Sequence, residues 1–163
     1  MTAAATTRYP LPDVAQVREL LGMLFDGITV KAGAKLDPAP KGKPYFGFYV
    51  ADDGSPAGLV GCDLAFASNS GAALSMLPPN AAKDAVKTKE LTDVMIANLR
   101  EVMNICTRLL LKESSPHVRL LLVSEVAGLP PPAAAIISAP NGRVDFEIGL
   151  GKYGSGLLAV LAM

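Results

Sequence analysis

The sequence has no tryptophan, a single histidine and only two cysteines. One histidine, His117, gives little to build a His-based zinc site or a Ser-His-Asp triad. The cysteines, Cys62 and Cys106, lie far apart with no C-x-x-C spacing, so we expect two reduced, buried thiols that act as small apolar side chains. No cluster of metal-ligating residue types is visible. We therefore expect this chain to bind neither a metal ion nor an organic cofactor.

The sequence also has no long run of charged residues of one sign. Lys plus Arg equals Asp plus Glu, 15 against 15, and no basic stripe is present, which argues against nucleic acid as a partner. No apolar run reaches the 18 residues of a membrane-spanning helix. The N-terminal segment MTAAATTRYP lacks the charged start and apolar stretch of a signal peptide. We expect a cytoplasmic protein that does not insert into a membrane.

What is present indicates one folded domain. Half of the 163 residues are hydrophobic, which is enough to form a core. We assign residues 1–12 to a loose N-terminal tail and residues 13–163 to a single domain. Period-2 and period-3.6 patterns predict a first helix at 13–25 and then a helical segment from Pro78 that leads into a long helix. Strands are predicted at 28–36, 45–50, 57–67, 71–77, 118–126, 133–138, 143–148 and 157–161. Runs of strands separated by a helix are typical of an α+β fold with a largely antiparallel or mixed sheet.

The long helix, Thr88 to Leu111, is the most informative segment because it contains no Gly or Pro. At 100° per residue one of its faces is apolar and predicts burial against the sheet. This face comprises Leu91, Val94, Met95, Leu99, Val102, Met103, Cys106, Leu109 and Leu110. The opposite face carries Ala97, Glu101, Asn104 and Arg108. Glu101 and Asn104 lie one turn apart, so their side chains are neighbours. A solvated surface is the ordinary explanation of such a pair, and a functional site is the alternative.

Other motifs point to turns rather than to sites. Gly149-x-Gly151-x-x-Gly154 matches the dinucleotide fingerprint, but that fingerprint requires a following helix and a later acidic residue. The segment after Gly154 predicts a strand. Asp52-Asp53 precedes a glycine, as expected of a hairpin turn.

Three segments together resemble the CheC/CheX/FliY family of chemotaxis phosphatases, and most of all its short CheX-like members. DVAQVRELLGMLFDGITVKAG resembles the opening helix and strand of the family. GLVGCDLAFASNSGAALSMLPPNAA resembles its central hairpin, with Gly71 opening the second strand. ELTDVMIANLREVMNIC resembles its signature helix, in which Glu-x-x-Asn is the active pair. On residue types, Glu101 and Asn104 match that pair.

The resemblance implies a cytoplasmic two-component signalling protein that acts on the phosphorylated receiver domain of a response regulator. It implies that Asn104 orients a water for attack on the aspartyl phosphate, and that Glu101 pairs with a receiver lysine and directs docking. It implies a hydrolase without its own metal, because the receiver holds the Mg²⁺. Such chemistry depends mostly on positioning the attacking oxygen, which a rigid helix and a carboxamide can provide.

The sequence also departs from the family pattern. Ala97 stands where the family usually has Asp or Ser, and Arg108 stands where a small residue is common. We find one signature helix where CheC proteins have two. Ala97 and Arg108 are therefore assigned to partner binding. Two functions stay open: an aspartyl-phosphate phosphatase, and a non-catalytic interaction module of the same fold. An unrelated α+β protein is a third alternative.

We also expect a homodimer. The apolar C-terminal strand GLLAVLAM is placed near an end of the sheet, and such an edge needs to be paired or covered. CheX-like proteins dimerise, so the resemblance implies the same assembly.

Overall fold

The computed structural model describes residues 9–111 and 116–163 of the chain. Its helices are α1 (Val14–Gly22), α2 (Leu64–Leu74), α3 (Pro79–Thr88), α4 (Asp93–Ile105) and α5 (Pro131–Ser138). Its strands are β1 (Ile28–Ala32), β2 (Tyr45–Ala51), β3 (Pro56–Cys62), β4 (Val118–Glu125), β5 (Gly142–Leu150) and β6 (Ser155–Ala162). The predicted α+β class with a single domain is confirmed.

The six strands form one antiparallel sheet in the order β1-β5-β6-β3-β2-β4. β6 pairs with β5 on one side and with β3 on the other, so the apolar C-terminal strand lies inside the sheet. Our placement of this strand near an edge is wrong, because its apolar residues are needed on both faces of a central strand. The edges are β1 and β4. The homodimer stays a prediction, now without its edge-strand argument.

The sheet is covered on both faces. Helices α1, α2 and α4 pack on one face, and the main core lies between them and the sheet. The other face carries a smaller core, in which Ala133 and Ile136 of α5 pack with Phe46, Phe48 and Leu59. Asp63 and Thr92 cap α2 and α4, because each side chain accepts a hydrogen bond from the amide three residues on.

Two segments predicted as strands are helices. Residues 64–74, which we divided between strands at 57–67 and 71–77, form α2. This helix is surrounded by the sheet, α3 and α4, and even Ser68, Asn69 and Ser70 are buried, so no amphipathic period marks it. Residues 133–138 belong to α5, which starts with Pro131 and Pro132. Proline is tolerated in the first turn of a helix because the amide that it lacks has no hydrogen-bond partner within the helix there.

The helix predicted at Thr88–Leu111 is shorter than expected. α3 ends at Thr88 and is followed by the cap residue Lys89 in the left-handed conformation with φ 56°, and α4 begins after the Thr92 cap. A 3₁₀ turn, Cys106–Leu110, follows α4 directly, and its Cys106, Leu109 and Leu110 side chains are buried. The helix predicted over Thr88–Leu111 is therefore too long at both ends, because residues 89–92 separate α3 from α4 and the last residues form the 3₁₀ turn.

At the N-terminal end, Tyr9 is only 1% exposed and packs in the main core. This residue does not belong to a loose tail, contrary to our boundary at residue 12. The assignment of residues 1–8 lies outside the described residues and stays a prediction.

Candidate functional site

The outer face of α4 is where the structure places the predicted site residues. Met95, Leu99, Val102 and Met103 are buried, and Ala97, Glu101 and Asn104 are exposed on the other side of the helix. The 3.6-residue period thus separates the two faces as the sequence predicted. Val94 is an exception, because it is 48% exposed and does not join the buried face. It lies three residues before Ala97 and seven before Glu101, which extends the outer face toward the start of the helix.

Close packing against α2 holds α4 in place. A Cβ atom on Gly71 would lie 2.9 Å from the Met95 Cβ and 3.0 Å from its Cα, so only glycine permits this approach. Beside this contact, Asn98 Nδ2 donates to the Gly71 carbonyl at 2.8 Å and to the Ser75 Oγ at 2.7 Å. Gly71 is therefore an interhelix contact in α2, and the expectation that it opens a strand is wrong.

The C-terminal end of α4 is held from the sheet side. The buried Tyr49 hydroxyl of β2 donates to the Met103 carbonyl at 2.5 Å, which satisfies a backbone acceptor near the helix end. Burial raises the pKa of the Tyr49 hydroxyl well above its ordinary value. Nearby, burial raises the pKa of the Cys106 thiol to about 12. Both groups are neutral at physiological pH, so the underside of the helix is apolar and uncharged.

Glu101 and Asn104 are free to meet a partner. Within residues 9–111 and 116–163, neither side chain forms a hydrogen bond or an ion pair. Their spacing on one helix face brings the Cβ atoms to about 5–6 Å from each other. The pair offers a carboxylate that can accept from a cation and a carboxamide that can both donate and accept. A rigid helix presents the two groups together.

Arg108 occupies a different position from the one its spacing predicted. It lies in the 3₁₀ turn after α4, and it lines a cavity of about 240 Å³ with the start of α1. Residues of that cavity include Leu11, Gln16 and Glu19. Arg108 is exposed beside the start of α1, and it does not continue the α4 helix that carries Glu101 and Asn104.

The remaining motifs are structural. Gly151 and Gly154 have φ values of 57° and 105° in a turn that leads into the strand β6, whereas the dinucleotide fingerprint requires a following helix. His117 is exposed, and its Nδ1 lies 2.9 Å from Asp52 Oδ1. In the described part of the chain, no three His, Cys, Asp or Glu residues come together as a metal site. No described helix is long and apolar enough to cross a membrane.

The sequence reasoning missed Asn98 and Met76. Asn98 lies between the buried and the exposed face of α4, and only the packed structure shows that it connects the helix to the end of α2. Met76 was placed in a predicted strand, whereas in the structure it follows the cap residue of α2 and is exposed.

Comparisons with known proteins support the fold. No protein-family model matches the sequence, and no curated protein matches it. Among solved structures, the chain is similar to one from the crystal structure of the FliM–SpeE complex of H. pylori. The TM-score is 0.55 at 12% identity, and the match covers 91% of this chain and 78% of the other. The FliM middle domain of H. pylori also matches, with a TM-score of 0.49, 13% identity and coverage of 91% and 82%. The architecture and the first of these likenesses define an α+β domain of the CheC/CheX-like fold.

Proposed function

We propose that this chain is a protein-interaction domain whose α4 outer face docks on the receiver domain of a response regulator. The observation that carries the proposal is the exposed Glu101 and Asn104 pair, which has no partner within the described residues. The helix beneath the pair is held from two sides, by Gly71 and Asn98 at α2 and by Tyr49 at the sheet. A pair presented this rigidly keeps its geometry when a partner binds.

The same pair supports a hydrolytic role. In our proposal Asn104 enters the receiver's active site and orients a water in line with the aspartyl phosphate, with its carboxamide as donor and acceptor. Glu101 accepts from a lysine of the receiver and sets the docking orientation. The water oxygen bonds to phosphorus as the bond between phosphorus and the aspartate oxygen breaks, so that the aspartate is left as a carboxylate and the protons of the water leave with the inorganic phosphate. In this proposal the receiver holds the Mg²⁺, as the resemblance to the phosphatase family implies.

A non-catalytic interaction module is the second candidate. Arg108 is exposed in the 3₁₀ turn that follows α4, and its long, charged side chain can contact a partner without any chemistry. Ala97 offers no polar atom beside Glu101. Both residues favour docking over hydrolysis, so the two candidates share a surface and differ in what Asn104 does.

Receiver dephosphorylation tests the proposal. Phosphorylated receiver domains from the same genome are incubated with Mg²⁺ and with wild-type protein, Asn104→Ala or Glu101→Ala, and the remaining phosphoprotein is followed with time. We expect wild type to accelerate the loss of phosphate from at least one receiver. Asn104→Ala should reduce this acceleration by about 100-fold or more, because a positioned group typically contributes that much to a rate.

Binding to the same receivers separates the two candidates. Glu101→Ala should weaken binding, and Asn104→Ala should leave it nearly unchanged. Asp84→Ala on α3 is a control, since Asp84 is an exposed carboxylate outside α4. If wild type binds a receiver and does not accelerate its dephosphorylation, the interaction module is the correct function. If wild type binds none of the receivers, both candidates are wrong.

A further inference from the structure

A cavity of about 240 Å³ lies between the start of α1 and the 3₁₀ turn that follows α4. Its floor is apolar, because Leu20 of α1 and Leu109 of the turn line it and each is only 6% exposed. Leu11 and Met23 add apolar walls, and Met23 is 64% exposed although its side chain is apolar. An apolar cavity with a few polar groups is the usual form of a small-molecule site in a protein.

Two opposite charges line this cavity and do not pair with each other. Glu19 of α1 and Arg108 of the 3₁₀ turn are both exposed lining residues. Within residues 9–111 and 116–163, neither side chain forms an ion pair or a hydrogen bond. The guanidinium of Arg108 offers a planar fork of donors that matches a carboxylate, and the carboxylate of Glu19 can accept from an ammonium group. The cavity therefore presents complementary charge to a ligand that carries both signs.

The elements that carry the two charges are held in place. The α1 helix starts with a capping box, in which the Gln16 amide donates to the Asp13 carboxylate and the Asp13 amide donates to the Gln16 Oε1, each at 2.8 Å. The 3₁₀ turn is fixed by Leu109 and Leu110, whose side chains are buried. The backbone on both sides of the cavity keeps its position, so only the two charged side chains need to be ordered by a ligand.

We infer that this cavity binds a free α-amino acid with an apolar side chain. The carboxylate of the ligand accepts hydrogen bonds from Arg108, and its ammonium group donates to Glu19. Its side chain packs on Leu20, Leu109 and Met23, where a polar side chain would lose its hydrogen bonds to water without replacement. The cavity is smaller than the roughly 300–1,000 Å³ of sites for drug-sized ligands, which fits a ligand of the size of an amino acid.

A free amino acid fits the two charges better than a peptide does. Its ammonium and carboxylate groups are attached to the same carbon atom, whereas a peptide carries them at its two ends, and one small cavity borders both Glu19 and Arg108. Ala97, Glu101 and Asn104 of the α4 outer face do not line this cavity. Its occupancy can therefore be measured without a receiver, and it does not depend on the proposed function.

Isothermal titration of the protein with L-leucine tests the inference, and we expect saturable binding to one site. N-acetyl-L-leucine has no ammonium group, and L-leucinamide has no carboxylate. Each should bind about tenfold more weakly than L-leucine, because one charged group of the protein loses its partner. Glycine keeps both charges but has no side chain to pack on the apolar floor, so it should also bind about tenfold more weakly.

Substitutions assign each charge of the ligand to one residue. Arg108→Gln should weaken binding of L-leucine about tenfold and leave binding of L-leucinamide unchanged, because the amide has no carboxylate for Arg108 to bind. Glu19→Gln should weaken binding of L-leucine to the same extent and leave binding of N-acetyl-L-leucine unchanged. Arg100→Gln is the matched control, since Arg100 is an exposed arginine of α4 that does not line the cavity. All three variants should keep the wild-type melting temperature, because these side chains are exposed.

Methionine methyl signals show where the ligand binds. The chain has six methionines, so ¹³C labelling of their methyl groups gives a small set of NMR signals. L-leucine should shift the signal of Met23, which is identified by its loss in Met23→Ala. The signals of Met76 and Met163 are the internal controls, because both side chains are exposed and neither lines the cavity.

Two results would overturn the inference. If L-leucine, L-methionine and L-phenylalanine give no heat of binding at millimolar concentration and leave the Met23 signal unchanged, the cavity does not bind an apolar amino acid. If L-leucine and its two derivatives bind equally well, Glu19 and Arg108 do not recognise the charges of the ligand. Neither result affects the proposed function, because binding to the receivers is measured separately.

Discussion

Replacing Gly71 with alanine is expected to destabilise the protein, although alanine is the better residue for a helix. Gly71 lies in α2, where this helix comes closest to α4. The added Cβ would lie 2.9 Å from the Met95 Cβ, 3.0 Å from its Cα and 3.1 Å from its carbonyl oxygen. Two of these three atoms belong to the backbone, so a rotation of one side chain cannot relieve the contact. The helices have to move apart.

The size of the effect follows from two opposing terms. Alanine in place of glycine within a helix contributes about 1 kcal/mol in favour of folding. Overpacking a tight contact costs about 1–3 kcal/mol, and the backbone atoms at Met95 place this case in the upper half of that range. We therefore expect Gly71→Ala to lower the free energy of unfolding by about 1–2 kcal/mol, or the melting temperature by several degrees.

Gly22→Ala is the matched control. Gly22 ends α1, and a Cβ there would meet only Ile28 Cγ2 at 3.8 Å, an ordinary contact. This variant should be more stable than wild type by about 0.5–1 kcal/mol. Urea unfolding followed by circular dichroism measures both variants, with the denaturant slope as a check that unfolding stays two-state. A Gly71→Ala protein as stable as wild type would refute the close-approach argument.

Two partly buried carboxylates should have pH dependences of opposite sign. Burial raises the pKa of Asp145, but hydrogen bonds from Arg143 at 2.8 and 2.9 Å and from a backbone amide outweigh it, so the net pKa is below the ordinary value. Because this pKa is lower in the folded state, Asp145 stabilises the protein above about pH 4, and this stabilisation is lost as the pH falls below that value. Asp145→Asn should therefore make the stability measured by urea unfolding less dependent on pH in the acid range. Burial raises the pKa of Asp63, although its carboxylate accepts hydrogen bonds from the Phe66 amide at 2.8 Å and the Leu157 amide at 3.0 Å. A raised folded-state pKa means that the contribution of Asp63 to stability is lost as the pH rises above about 4. Asp63→Asn keeps the acceptor and should match or exceed wild-type stability at pH 7, with the gain disappearing toward pH 4. Asp63→Ala should lose about 1–2 kcal/mol of unfolding free energy at pH 7, and equal stability of the alanine and asparagine variants would contradict the capping role.

Periodicity in the sequence was informative where an element has one wet and one dry side. The α4 segment is of this kind, and its pattern correctly separated Met95, Leu99 and Val102 from Glu101 and Asn104. Such a pattern exists because burial against the sheet selects apolar residues on one face only. The position of the candidate site on the helix surface could therefore be predicted, although its function could not.

Elements that are buried on several sides gave no such pattern. α2 is rich in small residues and packs between the sheet, α3 and α4, so its sequence was mistaken for two strands. α5 is short and apolar, and a short apolar run does not distinguish a helix from a strand. In both cases the surrounding elements decide the conformation, and these are not neighbours in the sequence.

The sequence by itself determined the α+β class, the hairpin of β2 and β3, and which face of α4 meets water. These properties depend on residues within one or two turns or strands of each other. Only the tertiary structure decided that β6 lies inside the sheet, that Gly71 contacts Met95, and that Asn98 connects α4 to the end of α2. These contacts join residues that are distant along the chain, and they form because the complete set of apolar surfaces must be buried at once.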